Sequence, residues 1–453
     1  IYDQSHVEQI HFVYLDDRPN FQWNRFIVLD TDIFVSLLRN NHVLGSVSYN
    51  VSWGKQTEKK QSVLFSGDVG NSTETNSAPS LLRHMQHPHK NTGFIVTEST
   101  YGNRNRPKDP NFQERITLLE KEVIDCIFNK KGTLLIPAFS FHRTQELLFD
   151  LYYLLKYRWA GSNKFQGQPI TVYHDSPLAN KISGIYAKEL ASGKLIGKKF
   201  KTPNLNKEMG DILEVNDNQL QEIFKDIYTH RPLNIGGHQI QSLSPGETPT
   251  KPCIILSSSG MCDNGPVINH LLDLLNSPTN TVLMTGYLGK GSIGAQLMEL
   301  SSLSEVEKDH TNIKFTEKHI KMPANEIFAD IKMISGYSGH ADQSGLVNYI
   351  FPEGGEPYTS MPTIFINHGN YEAKISLKTE LENRSHDFEM ISHGELNVII
   401  PEIENEWFDL SSGKWSQNQP KNLTDKDSEY EKIIQNLTYQ VSNLSEEVQR
   451  LSR

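Results

Sequence analysis

The stretch on which the fold assignment depends, Ile334 to Asp342, reads I-S-G-Y-S-G-H-A-D. Its glycines and serines allow the backbone to turn tightly, so the pattern predicts that the imidazole of His340 projects from a loop. An apolar run, Pro362 to Ile366, follows and ends in Asn367-His368-Gly369, which places a second histidine where a predicted strand stops. Because α/β sheets tend to hold their chemistry at strand ends, both histidines are candidate functional residues.

Length and composition indicate a globular protein. The 453 residues are enough for two or three cores, and 37% apolar with 22% charged residues is typical of this class. No apolar run reaches membrane-crossing length, so we predict no membrane partner. Cys126, Cys253 and Cys262 lack metal-ligand spacing, which fits reduced thiols in a cytoplasmic protein. The net charge of −10 argues against nonspecific nucleic-acid binding, although a local basic groove can coexist with it.

Two kinds of pattern divide the chain. Hairpin-like β segments before residue 100 predict a layered sheet, whereas strands and helices that alternate after residue 110 predict a parallel sheet covered by helices. We interpret the second block as a separate α/β unit set into the first. The predicted domains are therefore residues 1–110, 111–325 and 326–401, followed by a tail, 402–453.

The tail carries a heptad pattern. Apolar residues recur at alternating spacings of four and three from Tyr430 to Leu451. Three heptads form a marginal coiled coil, so two interpretations stay open. The helix either supports a homo-oligomer or is an amphipathic helix that is solvated or packed on the protein.

Five side chains of metal-binding or acid–base type end predicted strands: His42, Asp68, Glu98, His340 and His368. Imidazoles and a bridging carboxylate suit zinc, and two zinc ions can activate water for attack on phosphorus. His340 beside Glu98 could protonate a leaving oxygen, since the carboxylate would orient the imidazole and raise its pKa. The alternatives are ordinary strand-end turns for His42 and Asp68, and a purely structural hydrogen bond between Glu98 and His340.

The order of these motifs resembles the β-CASP branch of the metallo-β-lactamase-fold hydrolases. The motifs that carry the resemblance are H-V-L-G (42–45), F-S-G-D (65–68), E-S-T-Y-G (98–102), S-G-Y-S-G-H-A-D (335–342) and N-H-G (367–369), with P-A-F-S-F-H-R-T-Q-E-L-L (137–148), D-S-P-L-A (175–179) and S-S-G-M (258–261) in the insert. It extends from about Ser5 to Pro401. The resemblance implies an α/β fold, a metallo-β-lactamase αββα sandwich with an inserted β-CASP domain, and an active site between the two.

The resemblance also implies roles for the five side chains. His42, Asp68 and His368 match metal ligands, with Asp68 bridging two zinc ions, and His340 matches the general acid that Glu98 orients. The implied activity is zinc-dependent hydrolysis of RNA phosphodiester bonds, with His340, Glu98 and Asp68 as catalytic residues. DNA-repair members generally carry valine at the position of His368, so this histidine favours RNA over DNA as the substrate.

One departure from the family pattern is large. The signature H-x-H-x-D-H, which supplies three histidines and an aspartate to the metals, does not occur in the sequence. The run His84-x-x-His87-x-His89 is no substitute, because it lacks the aspartate and follows Asp68. Since Ser5 to Val13 resembles the helix that follows the signature, we expect that the first half of the domain is missing from this sequence. The alternative is a catalytically inactive scaffold that binds RNA or a nuclease partner.

Three smaller features carry expectations that a structure can test. Asn41 stands where glycine usually precedes the histidine, and asparagine tolerates the left-handed backbone that this turn needs. Asn370 stands where glutamate often follows the His-Gly pair, so its hydrogen bonding is open. Tyr337 either stacks on a base or packs inside its loop.

Overall fold

The computed structural model describes residues 22–54, 61–71, 81–82, 84–105, 111–159, 168–191, 194–196, 199–201, 217–228, 232–244, 246–355, 357–389, 394–401, 407–410 and 414–416. The predicted helix from Ser5 to Val13 and the heptad pattern from Tyr430 to Leu451 lie outside these residues, so both stay predictions.

The described strands fall into two large sheets and three hairpins. In chain order they are β1 (Ile27–Asp30), β2 (Ile33–Arg39), β3 (Val47–Trp53), β4 (Gln61–Phe65), β5 (Phe94–Thr97), β6 (Thr133–Pro137), β7 (Thr171–Asp175), β8 (Lys194–Ile196), β9 (Lys199–Lys201), β10 (Leu233–Ile235), β11 (His238–Ser242), β12 (Cys253–Ser257), β13 (Thr281–Met284), β14 (Asn312–Phe315), β15 (Ile320–Pro323), β16 (Asp330–Met333), β17 (Thr363–Ile366), β18 (Asn397–Ile399), β19 (Trp407–Asp409) and β20 (Lys414–Ser416).

Most of the described helices cover the faces of the two sheets. They are α1 (Phe112–Val123), α2 (Arg143–Tyr153), α3 (Pro177–Ala191), α4 (Asp217–Tyr228), α5 (Val267–Leu274), α6 (Ile293–Glu299), α7 (Glu305–Asp309), α8 (Gln343–Ile350) and α9 (Tyr371–Glu389). Helices α1 and α2 continue as π-helical turns over Ile124–Asn129 and Leu154–Arg158. No described helix combines the length and the apolar character that a membrane span requires.

The first sheet has seven strands in the order β1-β2-β3-β4-β5-β17-β18. Strands β1 to β4 form an antiparallel meander, which confirms the predicted hairpins, and β4, β5, β17 and β18 run parallel. Helices α8 and α9 cover one face, where Leu346 and Leu377 join Leu64 and Ile95 in a buried core. On the other face, Phe408 from the β19–β20 hairpin lies 5.0 Å from Phe365 between ring centroids.

The second sheet has the order β10-β11-β7-β12-β6-β13-β16 and is parallel except for its edge strand β10. Strands β6, β12 and β13 are buried along their whole length because helices or other buried elements cover both faces. The predicted strand–helix alternation and parallel sheet are confirmed. Strand β16 lies beyond residue 325, the predicted end of the insert, so the insert's sheet continues into the returning segment.

Two mixed sheets, each with its own helices, agree with an α/β protein made of a metallo-β-lactamase-type domain and an inserted domain. The described residues of the first domain form one large sheet, so the more specific αββα sandwich stays a prediction. The expectation that the first half of this domain is missing is not supported by the structure.

The loop from Ile334 to Asp342 joins the two sheets. It leaves β16, the edge of the second sheet, and leads into α8, which packs on the first sheet. Ile334 and Tyr337 are buried in the core of the insert, whereas Ala341 is buried in the core of the first domain. His340 therefore lies on the boundary between the two domains.

Candidate functional site

The loop after β2 carries His42 toward the domain boundary. Asn41 has a φ of 59°, which confirms that asparagine takes up the left-handed backbone expected at this position. The His42 side chain is oriented by its Nδ1, which lies 3.0 Å from the carbonyl oxygen of Gly339. This contact leaves Nε2 facing the carboxylate of Asp68, at 3.7 Å from its Oδ2.

The loop after β4 carries Asp68 and is held against its neighbours by backbone hydrogen bonds. The Gly70 amide donates to the Asn40 carbonyl at 2.6 Å, and the Ala341 amide donates to the Val69 carbonyl at 2.8 Å. A Cβ on Gly70 would lie 2.1 Å from the carbonyl oxygen of Asn41, so only glycine fits this crossing. The Asp68, His42 and His340 loops are thereby fixed to one another through their main chains.

Glu98 and His340 form a pair at the centre of the site. His340 Nδ1 lies 3.2 Å from Glu98 Oε1, and Glu98 is only 3% exposed. The amides of Val69 and Thr100 donate to the two oxygens of this carboxylate at 2.5 and 3.2 Å. Because the backbone holds both oxygens, Glu98 presents a fixed anion to the imidazole of His340.

His368 and His42 contact different oxygens of the Asp68 carboxylate. Its Nδ1 lies 3.1 Å from Asp68 Oδ1, and its side chain is 53% exposed. The turn that carries it is tied down by the Ser99 amide, which donates to the His368 carbonyl at 2.8 Å. The Ala373 amide donates to the Asn370 side-chain oxygen at 2.8 Å, so Asn370 caps the start of α9 and its hydrogen bonding is satisfied.

The pKa values of the three histidines in the site shift in different directions. Burial, aided by nearby His340, lowers the pKa of His42 to about 4. Burial also lowers the pKa of His340, but the Glu98 carboxylate outweighs it and the net shift is upward. The hydrogen bond to Asp68 raises the pKa of His368.

The two carboxylates shift in the opposite sense to burial. Burial raises the pKa of Asp68, but the hydrogen bond from His368 and nearby His42 leave it well below its usual range. Burial likewise raises the pKa of Glu98, and the interaction with His340 reverses that effect. The site therefore favours ionised carboxylates and a neutral His42, and it stabilises the protonated form of His340.

The donor set fits a zinc ion. Two overlapping groups have ligand atoms within 4.8 Å of one another: His42, Asp68 and His340, and Asp68, Glu98 and His368. The three ligands predicted from sequence are divided between these groups: His42 belongs to the first, His368 to the second, and Asp68 to both. Three protein ligands and an open position are the usual set of one catalytic zinc ion, whereas two ions need more. A neutral imidazole at His42 is the form that binds metal.

Three other predicted features have ordinary structural positions. His87 Nδ1 lies 3.1 Å from the Tyr349 carbonyl oxygen, and His89 Nε2 lies 2.8 Å from Ser36 Oγ. These histidines of the His84–His89 run are not part of either candidate metal group among the described residues. Tyr337 is fully buried, so of its two predicted positions the packed one is confirmed.

A buried cluster in the insert was missed from sequence. The Asp150 carboxylate accepts from Arg115 Nη2 at 2.9 Å and lies 2.8 Å from its Nε, while Tyr337 donates to the same carboxylate at 2.6 Å. Arg115 Nη1 also donates to the Gly336 carbonyl at 3.2 Å. The one sequence signal was a single carboxylate inside the apolar run of α2. This cluster, Arg115–Asp150–Tyr337, holds the loop that ends at His340.

A second contact joins the insert to the His42 loop. The Tyr186 hydroxyl of α3 accepts from the Leu44 amide at 3.3 Å and lies 2.7 Å from His142 Nδ1. Tyr186 and His142 are both buried. The insert therefore positions the loops of both His42 and His340.

Comparison with known proteins places these features in a family context. The Beta-Casp domain profile matches residues 144–297, and the profile of the Zn-dependent metallo-hydrolase RNA specificity domain matches residues 326–392.

Relatives are similar to the chain over most of its length. Ribonuclease TTHA0252 of Thermus thermophilus is 25% identical over 74% of this chain and 63% of its own length. The transcription termination factor FttA of Methanosarcina mazei is 24% identical over 77% of this chain and 47% of its own length. An RNase J-like protein of Methanocaldococcus jannaschii is 26% identical, over 68% of this chain and 58% of its own length. The chain thus spans less than two thirds of each of these relatives.

Proposed function

The chain belongs to the β-CASP family of metallo-β-lactamase-fold proteins, which are RNA-processing metallo-hydrolases, and from that premise we propose that it is a zinc-dependent ribonuclease. The proposed reaction is hydrolysis of an RNA phosphodiester bond at the boundary between the two sheets.

One observation carries the proposal. The Asp68 carboxylate lies between the imidazoles of His42 and His368, and the Glu98–His340 pair lies beside the same group. Ligands for a cation and a proton donor are therefore within reach of one phosphate. A merely structural hydrogen-bond network would not need an ionised carboxylate with histidines on two sides.

We assign metal binding to His42, Asp68 and His368. The Gly339 carbonyl orients the His42 ring through the nitrogen that does not face Asp68, which is the usual support of a metal-binding histidine. Zinc held there would supply Lewis-acid chemistry, activating water and offsetting the charge of the reacting phosphate. Asp68 contributes both to holding the metal and to keeping His368 oriented.

We assign the role of general acid to His340 and a positioning role to Glu98. A departing oxygen needs a proton as the phosphorus–oxygen bond breaks, and His340 faces Glu98 through Nδ1, so Nε2 is the nitrogen we assign to the proton transfer. Glu98 keeps the imidazole protonated and fixes its plane through Nδ1. His340 also lies 4.4 Å from the His42 ring between centroids, so the proton donor is adjacent to the proposed metal ligand.

Two lines of support favour RNA as the substrate. The second domain profile is described by its RNA specificity, and a histidine stands at position 368, where the DNA-repair members usually have valine. Both concern the returning segment, which also supplies His340.

The test combines cleavage with metal analysis. We expect His340→Ala to lower kcat for a single-stranded RNA by about 10²- to 10⁴-fold, the usual contribution of a general acid, without changing the zinc content. Asp68→Ala should lose both zinc and activity. His310→Ala, at an exposed histidine beside α7, is the matched control and should keep both. Unchanged cleavage by His340→Ala would refute the proposed acid.

A second candidate function is a noncatalytic scaffold that binds RNA. The observation that favours it is the small ligand set. The two candidate groups share Asp68 and include Glu98 and His340, which pair with each other, so too few ligands remain for the two zinc ions expected from the family pattern. Zinc content measured by plasma mass spectrometry separates the two candidates. A protein without zinc or cleavage that still binds RNA would be the scaffold.

A further inference from the structure

The structure assigns a nucleobase-stacking subsite to Arg104 and Tyr287 at the edge of the proposed active site. This inference rests on the proposed function, because it names how the same site holds single-stranded RNA. The two residues come from different domains: Arg104 follows the E-S-T-Y-G motif, and Tyr287 follows β13 in the insert.

The rings form a continuous path from His340 outward. Tyr101 lies edge-on to His340, with 6.1 Å between ring centroids, and edge-on to Tyr287 at 5.5 Å. The guanidinium carbon of Arg104 lies 4.8 Å from the centroid of Tyr101 and 5.8 Å from that of Tyr287. Tyr101 is buried, Tyr287 is half-buried and Arg104 is exposed, so the path ends at an accessible guanidinium beside an aromatic ring.

The backbone around Arg104 is held in place although the residue is exposed. Its amide donates to the Tyr101 carbonyl at 3.2 Å, and its carbonyl accepts from the Gln343 amide at 3.0 Å. The next residue, Asn105, accepts from the Ser344 amide at 2.8 Å and donates to the Gln343 side chain at 3.3 Å. These bonds tie the loop to α8, the helix that follows His340, so the guanidinium is positioned relative to the proposed acid before any substrate binds.

The chemistry of this subsite suits an unpaired base. Single-stranded RNA is recognised largely by stacking of splayed bases on aromatic rings and on arginine planes, and every base has a π-face that can stack. Arginine is suited to this task because its flat, weakly hydrated cation stacks where an ammonium does not. The Arg104 guanidinium contacts two uncharged tyrosine rings, and these contacts do not neutralise its charge. A base seated here would belong to a nucleotide next to the scissile phosphate.

The plain alternatives are that Arg104 only covers the tyrosine rings, or that it attracts a phosphate. Binding of two fluorescent oligonucleotides separates them: a single-stranded RNA and an abasic strand of the same length and phosphate number. Fluorescence anisotropy would be measured on the full chain in EDTA, so that no cleavage accompanies binding.

We expect Arg104→Ala to weaken binding of the base-bearing RNA by about tenfold, within the range known for the loss of one stacked base, and to affect the abasic strand much less. Arg104→Lys keeps the charge but loses the planar guanidinium, so it should weaken binding of the base-bearing RNA to a similar extent. Tyr287→Leu should also weaken only the base-bearing RNA. The control Lys290→Ala removes an exposed charge from the Tyr287 loop and should affect both strands alike.

Equal weakening of both strands by Arg104→Ala would overturn the inference in favour of a phosphate contact, and no weakening would overturn it in favour of a structural cation–π pair. The outcome is separable from that of the proposed function. Base-dependent binding without cleavage would support the subsite and refute the nuclease. Cleavage by a protein in which Arg104→Ala shows no base-dependent loss of binding would support the nuclease and refute the subsite.

Discussion

The buried cluster Arg115–Asp150–Tyr337 makes a strong prediction about stability. Arg115 is 1% exposed and Asp150 is 0% exposed, so the variant Arg115→Met leaves a carboxylate in the core without its cation. Burial raises the pKa of Asp150 and Arg115 only partly offsets that effect. The carboxylate is therefore in an unfavourable environment even with its partner present.

The expected magnitude follows from this environment. Removing one partner of a buried ion pair typically costs about 3–5 kcal/mol, because the remaining charge is desolvated and uncompensated. Replacing both partners by apolar groups is often close to neutral, since neither charge then has to be buried. The hydroxyl of Tyr337, which donates to Asp150 at 2.6 Å, would lose its acceptor, so the comparison is made in a Tyr337→Phe background.

The assay is urea unfolding followed by tryptophan fluorescence for Arg115→Met, Asp150→Leu and the double variant in that background. Each single change should lower the free energy of unfolding by about 3–5 kcal/mol, and the double change should cost no more than either single one. The loss of unfolding free energy caused by Arg115→Met should become smaller as the pH falls. A carboxyl group whose pKa is raised in the folded protein destabilises the fold at pH values above its unfolded pKa, and this effect disappears once the group is protonated in both states. Losses that simply add would refute the reasoning.

Three further predictions concern other parts of the structure. Glu98→Gln keeps the shape of the side chain but not its charge, and should lower kcat on RNA by about 10- to 100-fold with KM and zinc content unchanged. Gly70→Ala forces a Cβ to within 2.1 Å of the Asn41 carbonyl oxygen, and should destabilise the protein by about 1–3 kcal/mol in the same unfolding assay. The hydrogen bond from Lys332 lowers the pKa of Asp125, so Lys332→Met should destabilise the protein near pH 6, with a loss that shrinks as the pH falls below about 4.

Each of these predictions has a distinct contrary result. Glu98→Gln with unaltered kcat would leave the pair with His340 a structural one. Gly286→Ala is the control for Gly70, since a Cβ there meets nothing within 4 Å, and equal losses in both variants would disprove the steric argument. A loss in Lys332→Met that stays constant from about pH 3 to pH 6 would show that the ion pair is not its cause.

Local patterns in the sequence predicted the buried strands and their alternation with helices, and they supplied the candidate site residues. Runs such as Cys253–Ser257 are apolar throughout because both faces of a central parallel strand are covered. The five candidate residues could be chosen because chemistry-bearing side chains at strand ends stand next to small residues. Their roles in metal binding and acid catalysis stay proposals that the experiments above test.

Tertiary structure alone decided which distant residues meet. The sequence does not show that Arg115 faces Asp150, that Gly70 crosses Asn41, or that Arg104 and Tyr287 share one aromatic path, because these pairs lie on separate elements. The periodicity of apolar residues indicates which side chains are buried. Which buried side chains meet depends on the order of the strands and on the angles at which helices cross them. For this reason the sequence determined the fold class and the candidate ligands, and the packing of the insert against the first domain determined how His340 is held.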